Sequence, residues 1–367
     1  MRYEILVDSG AFWARLRGDI RNARGRVWVQ ALTVEGDATG RALAAQLHRS
    51  PAPDRRLLID HFTNVFHSDR FVYAPHNLMN RALRLERATT GRMVARLQRE
   101  GVPVRFTNPP GRMLQRLAGR DHKKLILVDD DVAYVGGINF SDHNFAWHDL
   151  MLRITGRDAV SFLEGAYNAT WEGQHSDAWL GTPDLDLFNL DGAGNEAGCA
   201  RLLELMRGAR EHVYIQSPYI TFPFTEALGC AVENGARVTI LSPAANNRGF
   251  MTRYIADEAR RRGFELRTHE GMSHLKAMLI DDRQLILGST NFDWLTYHHL
   301  AEFVAVIRDE GVVADYRARV LAPDLAQSVI VVPAAPRRAS HVEELSGLAA
   351  QLQVHALSRL AAVAQGV

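Results

Sequence analysis

Two stretches of the 367-residue chain repeat one arrangement of reactive side chains: HKKLILVDDDVAYVGGIN, from His122 to Asn139, and HLKAMLIDDRQLILGSTN, from His274 to Asn291. In both, a His-x-Lys pair is followed after four residues by an aspartate, Asp129 or Asp281, and after six more by Gly-Gly or Gly-Ser, one residue and Asn. Residues two apart on an extended chain point to the same face, so His122 and Lys124 offer an imidazole and an ammonium side by side, as do His274 and Lys276. Lys123 faces away. Asn139 and Asn291 add amide donors. Brought face to face, two such sets make a pocket suited to a phosphodiester. Lysines and amides hold the non-bridging oxygens and the charge that develops on them. One imidazole attacks phosphorus, while the other protonates the leaving oxygen and then deprotonates the incoming hydroxyl. This chemistry needs no metal or other cofactor, and the sequence has no dense carboxylate cluster of the two-metal kind.

A lone His-x-Lys beside an apolar run is ordinarily an accident of an edge strand. Here the residue types argue otherwise. Only Lys123, Lys124 and Lys276 among the 43 basic residues are lysine, the others being arginine. Yet both motif positions carry the compact ammonium rather than the planar fork. Asp129 and Asp281 fall where a hairpin turns, a place where aspartate is commonplace. Asp149 in FAWHDL and Glu302 in HHLAEF follow the two asparagines and are candidates to orient an imidazole and stabilise its cation.

The repeat extends to the elements that must position these residues. RVWVQ (Arg26 to Gln30) pairs with HVYIQ (His212 to Gln216), and EGVPVRF (Glu100 to Phe106) with RGFELRT (Arg262 to Thr268). The chain is therefore a tandem duplication, its first copy longer by an insert around residues 62–90. In that copy RVWVQA, RRLLIDHF and VPVRFT read as strands, ATGRALAAQLHR and GRMVARLQREG as helices, and KLILV and VAYVGG as a hairpin across DDD. The second copy repeats the order. This predicts an α/β protein of two tandem pseudo-symmetric α/β/α sandwich domains with mixed sheets and an active site at their interface. The first domain is expected over residues 1–182, with its motif at 122–129, and the second over 183–330, with its motif at 274–281. A tail carrying an amphipathic helix follows over 331–367, with Leu345, Leu348 and Leu352 at helical spacing; packing on its own domain is the expected use of that stripe. GTPDLDLFNLDGAGNEAG, Gly181 to Gly198, has the composition of a linker.

Composition narrows the class. With 47% hydrophobic and 23% charged residues and a formal net charge of +1, the chain reads as globular, and the near-zero charge argues against a nucleic-acid partner. Two cysteines, Cys199 and Cys230, do not make a disulfide framework, and MRYEILVDSGAFW lacks the pattern of a signal peptide, so a cytoplasmic location is expected. No uncharged apolar run reaches about 18 residues. Membrane contact is thus expected to be peripheral, on the inner face of the cell membrane. The stretch NRALRLERATTGRMVARLQRE, with six arginines from Arg81 to Arg99, is a candidate for anionic headgroups.

The two motifs resemble those of the duplicated phospholipase D superfamily, and the resemblance spans roughly residues 10 to 325. More narrowly, both motifs, the FDW and Glu302 that follow the second, and SPYITFP, Ser217 to Pro223, are similar to the bacterial cardiolipin synthase branch. The resemblance implies a phosphatidyltransferase working through a phosphohistidine, with a phospholipid as substrate and water or an alcohol as acceptor. His122 would be the nucleophile and His274 the general acid and base, although pseudo-symmetry allows the reverse. Lys124, Lys276, Asn139 and Asn291 would bind phosphate, Asp129 and Asp281 would support the structure, and Asp149 and Glu302 would support the histidines. Phospholipid hydrolysis to phosphatidate is the near alternative. A nuclease of the same superfamily is the more distant one.

Overall fold

The computed structural model describes residues 1–111, 116–334 and 341–365; residues 335–340 and 366–367 of the expected tail lie outside them. The chain divides into two units, Met1–Ala178 and Trp179–Val367. In the first, the apolar runs become strands β1 (Arg2–Val7), β2 (Arg26–Ala31), β3 (Asp54–Asp60), β6 (Val104–Thr107), β7 (Leu125–Val128), β8 (Val132–Gly136) and β9 (Leu150–Thr155), with a two-stranded hairpin of β4 (Phe66–His67) and β5 (Arg70–Phe71) standing apart. The seven strands lie in the order β1-β9-β8-β7-β2-β3-β6. β2, β3 and β6 run parallel, and the other pairings are antiparallel.

Alternation along β2 explains the layering. Val27, Val29 and Ala31 enter one core with Phe12, Leu16 and Ile20 of helix Asp8–Asn22, Leu43 and Leu47 of helix Ala38–Arg49, and Leu97 of helix Arg81–Arg99. Trp28 points to the opposite face, where its ring stacks on Tyr167 of helix Arg157–Trp171 at 5.0 Å. Both faces of the sheet are therefore covered, which is why its strands read as nearly continuous apolar runs.

The second unit holds a nine-stranded sheet of β10 (Ala178–Gly181), β11 (Leu185–Asp191), β12 (His212–Gln216), β13 (Arg237–Pro243), β14 (Glu265–His269), β15 (Ala277–Ile280), β16 (Gln284–Gly288), β17 (Ala301–Ile307) and β18 (Val329–Val332). Their order is β10-β11-β17-β16-β15-β12-β13-β14-β18. Without the edge strands β10 and β18, this is the permutation of the first sheet, with β11 standing for β1. The duplication seen in sequence is a duplication of topology.

Three local expectations are corrected. The presumed linker from Gly181 to Gly198 contains β11, buried and paired antiparallel to β17 along its length. Of the two aspartates in β11, Asp186 is buried in an ion pair with Arg308. The insert of the first copy lies mainly in residues 61–80, since helix Arg81–Arg99 has a counterpart in helix Gly249–Arg262. Finally, the tail helix His341–Gln365 packs on helix Gly249–Arg262, but through Ala350 and Val354 and not through the leucine stripe. Leu345, Leu348 and Leu352 are exposed. The reason is close approach: a Cβ at Gly347 would lie 2.3 Å from Asp257 Oδ1. Gln351 Nε2 donates to Glu258 Oε1 at 2.8 Å on the same side.

Candidate active site

Strand direction gathers most of the candidate residues at one end of each sheet. β7 starts one residue after Lys124, β8 ends three residues before Asn139, and β9 starts one residue after Asp149. Because β8 is antiparallel to both β7 and β9, these three termini are neighbours. β2 and β3 finish at the same edge, Gln30 lying opposite Leu125. In the second unit, β15, β16 and β17 bring His274, Lys276, Asn291 and Glu302 to the matching edge in the same way. Carboxyl ends of strands beside a change of strand direction are where open α/β sheets bind ligands.

The His-x-Lys segments immediately precede their strands instead of lying within them. They are extended all the same. Lys124 Nζ donates to the His122 carbonyl at 2.6 Å, and Lys276 Nζ donates to the His274 carbonyl at 2.5 Å. Each ammonium is thus folded back toward its histidine, while Lys123 Nζ turns to Thr170 Oγ1 at 2.9 Å. All three lysines of the chain are buried, and so are both histidines and both asparagines. Buried ammonium groups cost several kcal/mol of desolvation unless compensated. Their repetition in two units points to a task that requires positive charge out of bulk water.

The Gly-Gly/Gly-Ser difference between the motifs has a structural cause. Gly137 N donates to the Leu150 carbonyl at 3.1 Å and Ser289 N to the Phe303 carbonyl at 3.0 Å, so Asp149 and Glu302 occupy equivalent places. A Cβ at Gly137 would lie 2.3 Å from Asp149 Oδ1, so the missing side chain makes room for the carboxylate. In the second unit the Ser289 hydroxyl donates to Glu302 instead, with Thr296 Oγ1 donating to the other oxygen at 3.3 Å. Asn139 Oδ1 accepts from Thr33 N at 3.3 Å, which anchors the amide to the segment leaving β2.

Asp129 and Asp281 stand elsewhere. Five residues of extended chain, roughly 17 Å, separate Asp129 from Lys124, and Asp281 is equally distant from Lys276. Asp281 accepts backbone N–H groups of Arg210, Glu211 and His212 at 2.8–3.0 Å as the chain enters β12; Asp129 does the same for Arg24, Gly25 and Arg26. Both adopt a left-handed backbone, φ 50° and 52°, that aspartate tolerates better than most residues. Burial opposes ionisation of Asp281, but the three N–H groups outweigh it and hold the carboxyl below its ordinary value; Asp129 behaves likewise. Replacing Asp281 by alanine is expected to lower stability by about 1–3 kcal/mol. Since the folded pKa is depressed, that contribution is present in full above the unfolded value near ~4 and is lost as pH falls through the folded value. The gap between the urea midpoints of parent and D281A should narrow on acidification from pH 7.

Several buried polar groups at the same edges carry no signal in the motif itself. Gln30 Nε2 donates to Asp121 Oδ2 at 2.7 Å, and Gln216 Nε2 to Asp324 Oδ2 at 2.6 Å. The shared glutamine of RVWVQ and HVYIQ was the available clue. Asp60 at the end of β3 accepts from Asp121 N at 2.7 Å and pairs with Arg120 at 3.0 Å; burial pushes its carboxyl up to about 6 despite the guanidinium.

The chain is similar to known proteins in sequence and in fold. Over 98% of its length the chain matches the crystal structure of phosphatidylserine synthase from Haemophilus influenzae, at 17% identity and a TM-score of 0.72, covering 95% of that chain. It matches polyphosphate kinase from Porphyromonas gingivalis at 12% identity and a TM-score of 0.60, covering 97% of this chain and 53% of that one. These likenesses show the fold. Among curated sequences, cardiolipin synthase 2 of Staphylococcus epidermidis is 28% identical over 224 residues, 54% of this chain and 46% of the relative. Cardiolipin synthase A of Salmonella arizonae is 27% identical over 238 residues, 56% and 48% respectively. The chain spans about half the length of the curated relatives it matches. The family model described as cardiolipin synthase, PLD-like domain, matches residues 16–171 and again 202–321, spans that include both motifs. By these two matches, which cover most of its length, the chain belongs to the family of the cardiolipin synthase, PLD-like domain.

Proposed function

We propose that this protein is a phosphatidyltransferase of cardiolipin-synthase type, acting on phospholipid phosphodiesters through a covalent phosphohistidine. The observation that carries the reading is the pair of matched half-sites, each with a buried histidine and a buried lysine whose ammonium reaches the histidine's own carbonyl. Cardiolipin synthases among its relatives support the lipid substrate over other phosphodiesters.

In this mechanism the two half-sites serve one phosphorus atom. Lys124, Lys276, Asn139 and Asn291 bind the non-bridging oxygens and stabilise their charge as the reaction proceeds. His122 forms the bond to phosphorus, and the bond to the leaving alkoxide breaks as His274 gives it a proton. His274 then takes the proton of the acceptor hydroxyl, which attacks the phosphohistidine and frees His122. Asp149 and Glu302 stabilise the imidazolium forms.

Access to lipid is peripheral in this reading, on the inner face of the membrane. Among the described residues no helix is long and apolar enough to cross a membrane. On the insert, Tyr73, Leu78 and Met79 are exposed, next to Leu85 and the exposed arginines of helix Arg81–Arg99. Apolar side chains beside cationic ones suit an anionic lipid surface. Purified enzyme incubated with phosphatidylglycerol vesicles should form cardiolipin and glycerol. Phosphatidate alone would replace transfer with hydrolysis, and cleavage of single-stranded DNA that disappears in H122A would replace the lipid reading with a nuclease.

A further inference from the structure

The insert that distinguishes the first repeat brings together three side chains outside the phosphodiester chemistry. Glu35 lies on the segment leaving β2, His67 ends β4, and Glu86 sits on helix Arg81–Arg99. One ligand atom from each lies within 4.8 Å of the others. His67 is fully buried, and neither ring nitrogen has a hydrogen-bond partner among the described residues. Glu35 is only 2% exposed. Among the described residues neither glutamate pairs with an arginine or lysine, and His143 Nδ1 lies 4.0 Å from Glu35 Oε2. The remaining contacts are Ser68 N donating to Glu35 Oε1 at 3.2 Å and to Oε2 at 3.3 Å, Ser68 Oγ donating to Glu86 Oε1 at 2.8 Å, and a hydrogen bond between the two carboxyls; burial first, then this neighbour, pushes Glu35 up to about 9.

An imidazole buried without a partner costs about 1–3 kcal/mol, and the two carboxyls beside it cannot both ionise without a cation between them. A cation relieves both. We propose that Glu35, His67 and Glu86 form a structural binding site for one divalent transition-metal ion of the zinc type. A donor set of one imidazole nitrogen and two carboxylate oxygens suits zinc over magnesium or calcium, which favour oxygen alone. Ligand atoms about 2.1 Å from a tetrahedral ion lie about 3.4 Å from one another, so small side-chain rotations close the present spacing. Water or His143 completes the coordination.

The consequence is mechanical. Glu35 N donates to the Phe140 carbonyl at 3.0 Å, and Val34 bridges Phe140, the residue after Asn139. The ion would clamp the β4–β5 hairpin and helix Arg81–Arg99 to the backbone beside the phosphate-binding asparagine. In the second repeat only residues 244–248 separate β13 from the following helix, so the clamp belongs to the first repeat alone.

Full-length protein stripped with chelator and dialysed should take up one zinc ion per chain, read by elemental analysis and calorimetric titration with zinc chloride. Its thermal midpoint should rise by roughly 5–10 °C with zinc at about 100 times its Kd. H67A and the isosteric E86Q should weaken binding at least about 100-fold, whereas H274A should bind as the parent does. Cobalt absorption bands present in the parent and lost in E86Q give the same answer if H67A folds poorly. A parent that takes up no zinc, or an E86Q variant that binds it unchanged, would overturn the proposal.

Discussion

Replacing His122 or His274 by alanine is expected to lower phosphatidyl transfer by at least about three orders of magnitude, while far-UV circular dichroism and the thermal midpoint stay close to the parent's. The size follows from the division of labour in the proposed mechanism. A nucleophile and a general acid act on one step in series, so losing either removes most of the benefit of both, and H122A/H274A should be scarcely worse than either single variant. The single variants differ in what they accumulate. Acid-quenched H274A exposed briefly to substrate should retain a phosphatidyl adduct on His122 if the acceptor step is the slower one without its base, whereas H122A should show none. Mass spectrometry distinguishes them, and an adduct on His274 would reverse the two roles. Full activity in either variant would remove the basis of the mechanism.

Exchanging lysine for arginine at the motif positions is the second large effect. K124R and K276R keep the charge, yet each should cost about 100-fold or more in kcat. Both ammonium groups are nearly inaccessible, at 1% and 2% exposure, and both are folded against a backbone carbonyl two residues away. A guanidinium is broader, cannot turn within that distance, and directs its donors in one plane. The loss should appear in kcat more than in KM, since in the proposed mechanism the charge these groups meet grows in the transition state. The forty or so arginines elsewhere make the test sharp: a chain that uses arginine almost everywhere retains lysine at positions where the difference is geometric. Arginine variants as active as the parent would return Lys124 and Lys276 to the status of ordinary buried cations.

Much of this was readable from residue order. The duplication, the parallel–antiparallel mixture and the members of both half-sites follow from spacing, because strand periodicity fixes which neighbours share a face. Other features were not. LDLFNLD carries residues common in loops, and its ladder with β17 and the Asp186–Arg308 pair are what make it β11. The tail helix presents two faces of comparable apolarity on paper. The choice between them was made by Gly347 and Ala350, which let the backbone approach helix Gly249–Arg262, and the leucines were left outside. Asp60, Arg120 and Asp121 meet from separate parts of the chain and share no spacing rule.

By itself the sequence determined which chemistry is present: two histidines, two lysines and two asparagines in matching frames, held by two copies of one α/β pattern. Tertiary structure decided which of the motif residues share a place. It set the His-Lys pairs, the asparagines and Asp149 or Glu302 at one edge of each sheet, and it sent Asp129 and Asp281 to the other, where they hold backbone amides. The physical reason is that spacing along a strand reports the side of the sheet a residue faces. Which end of the sheet it reaches, and which distant residue waits there, depends on the direction and partner of every strand beside it.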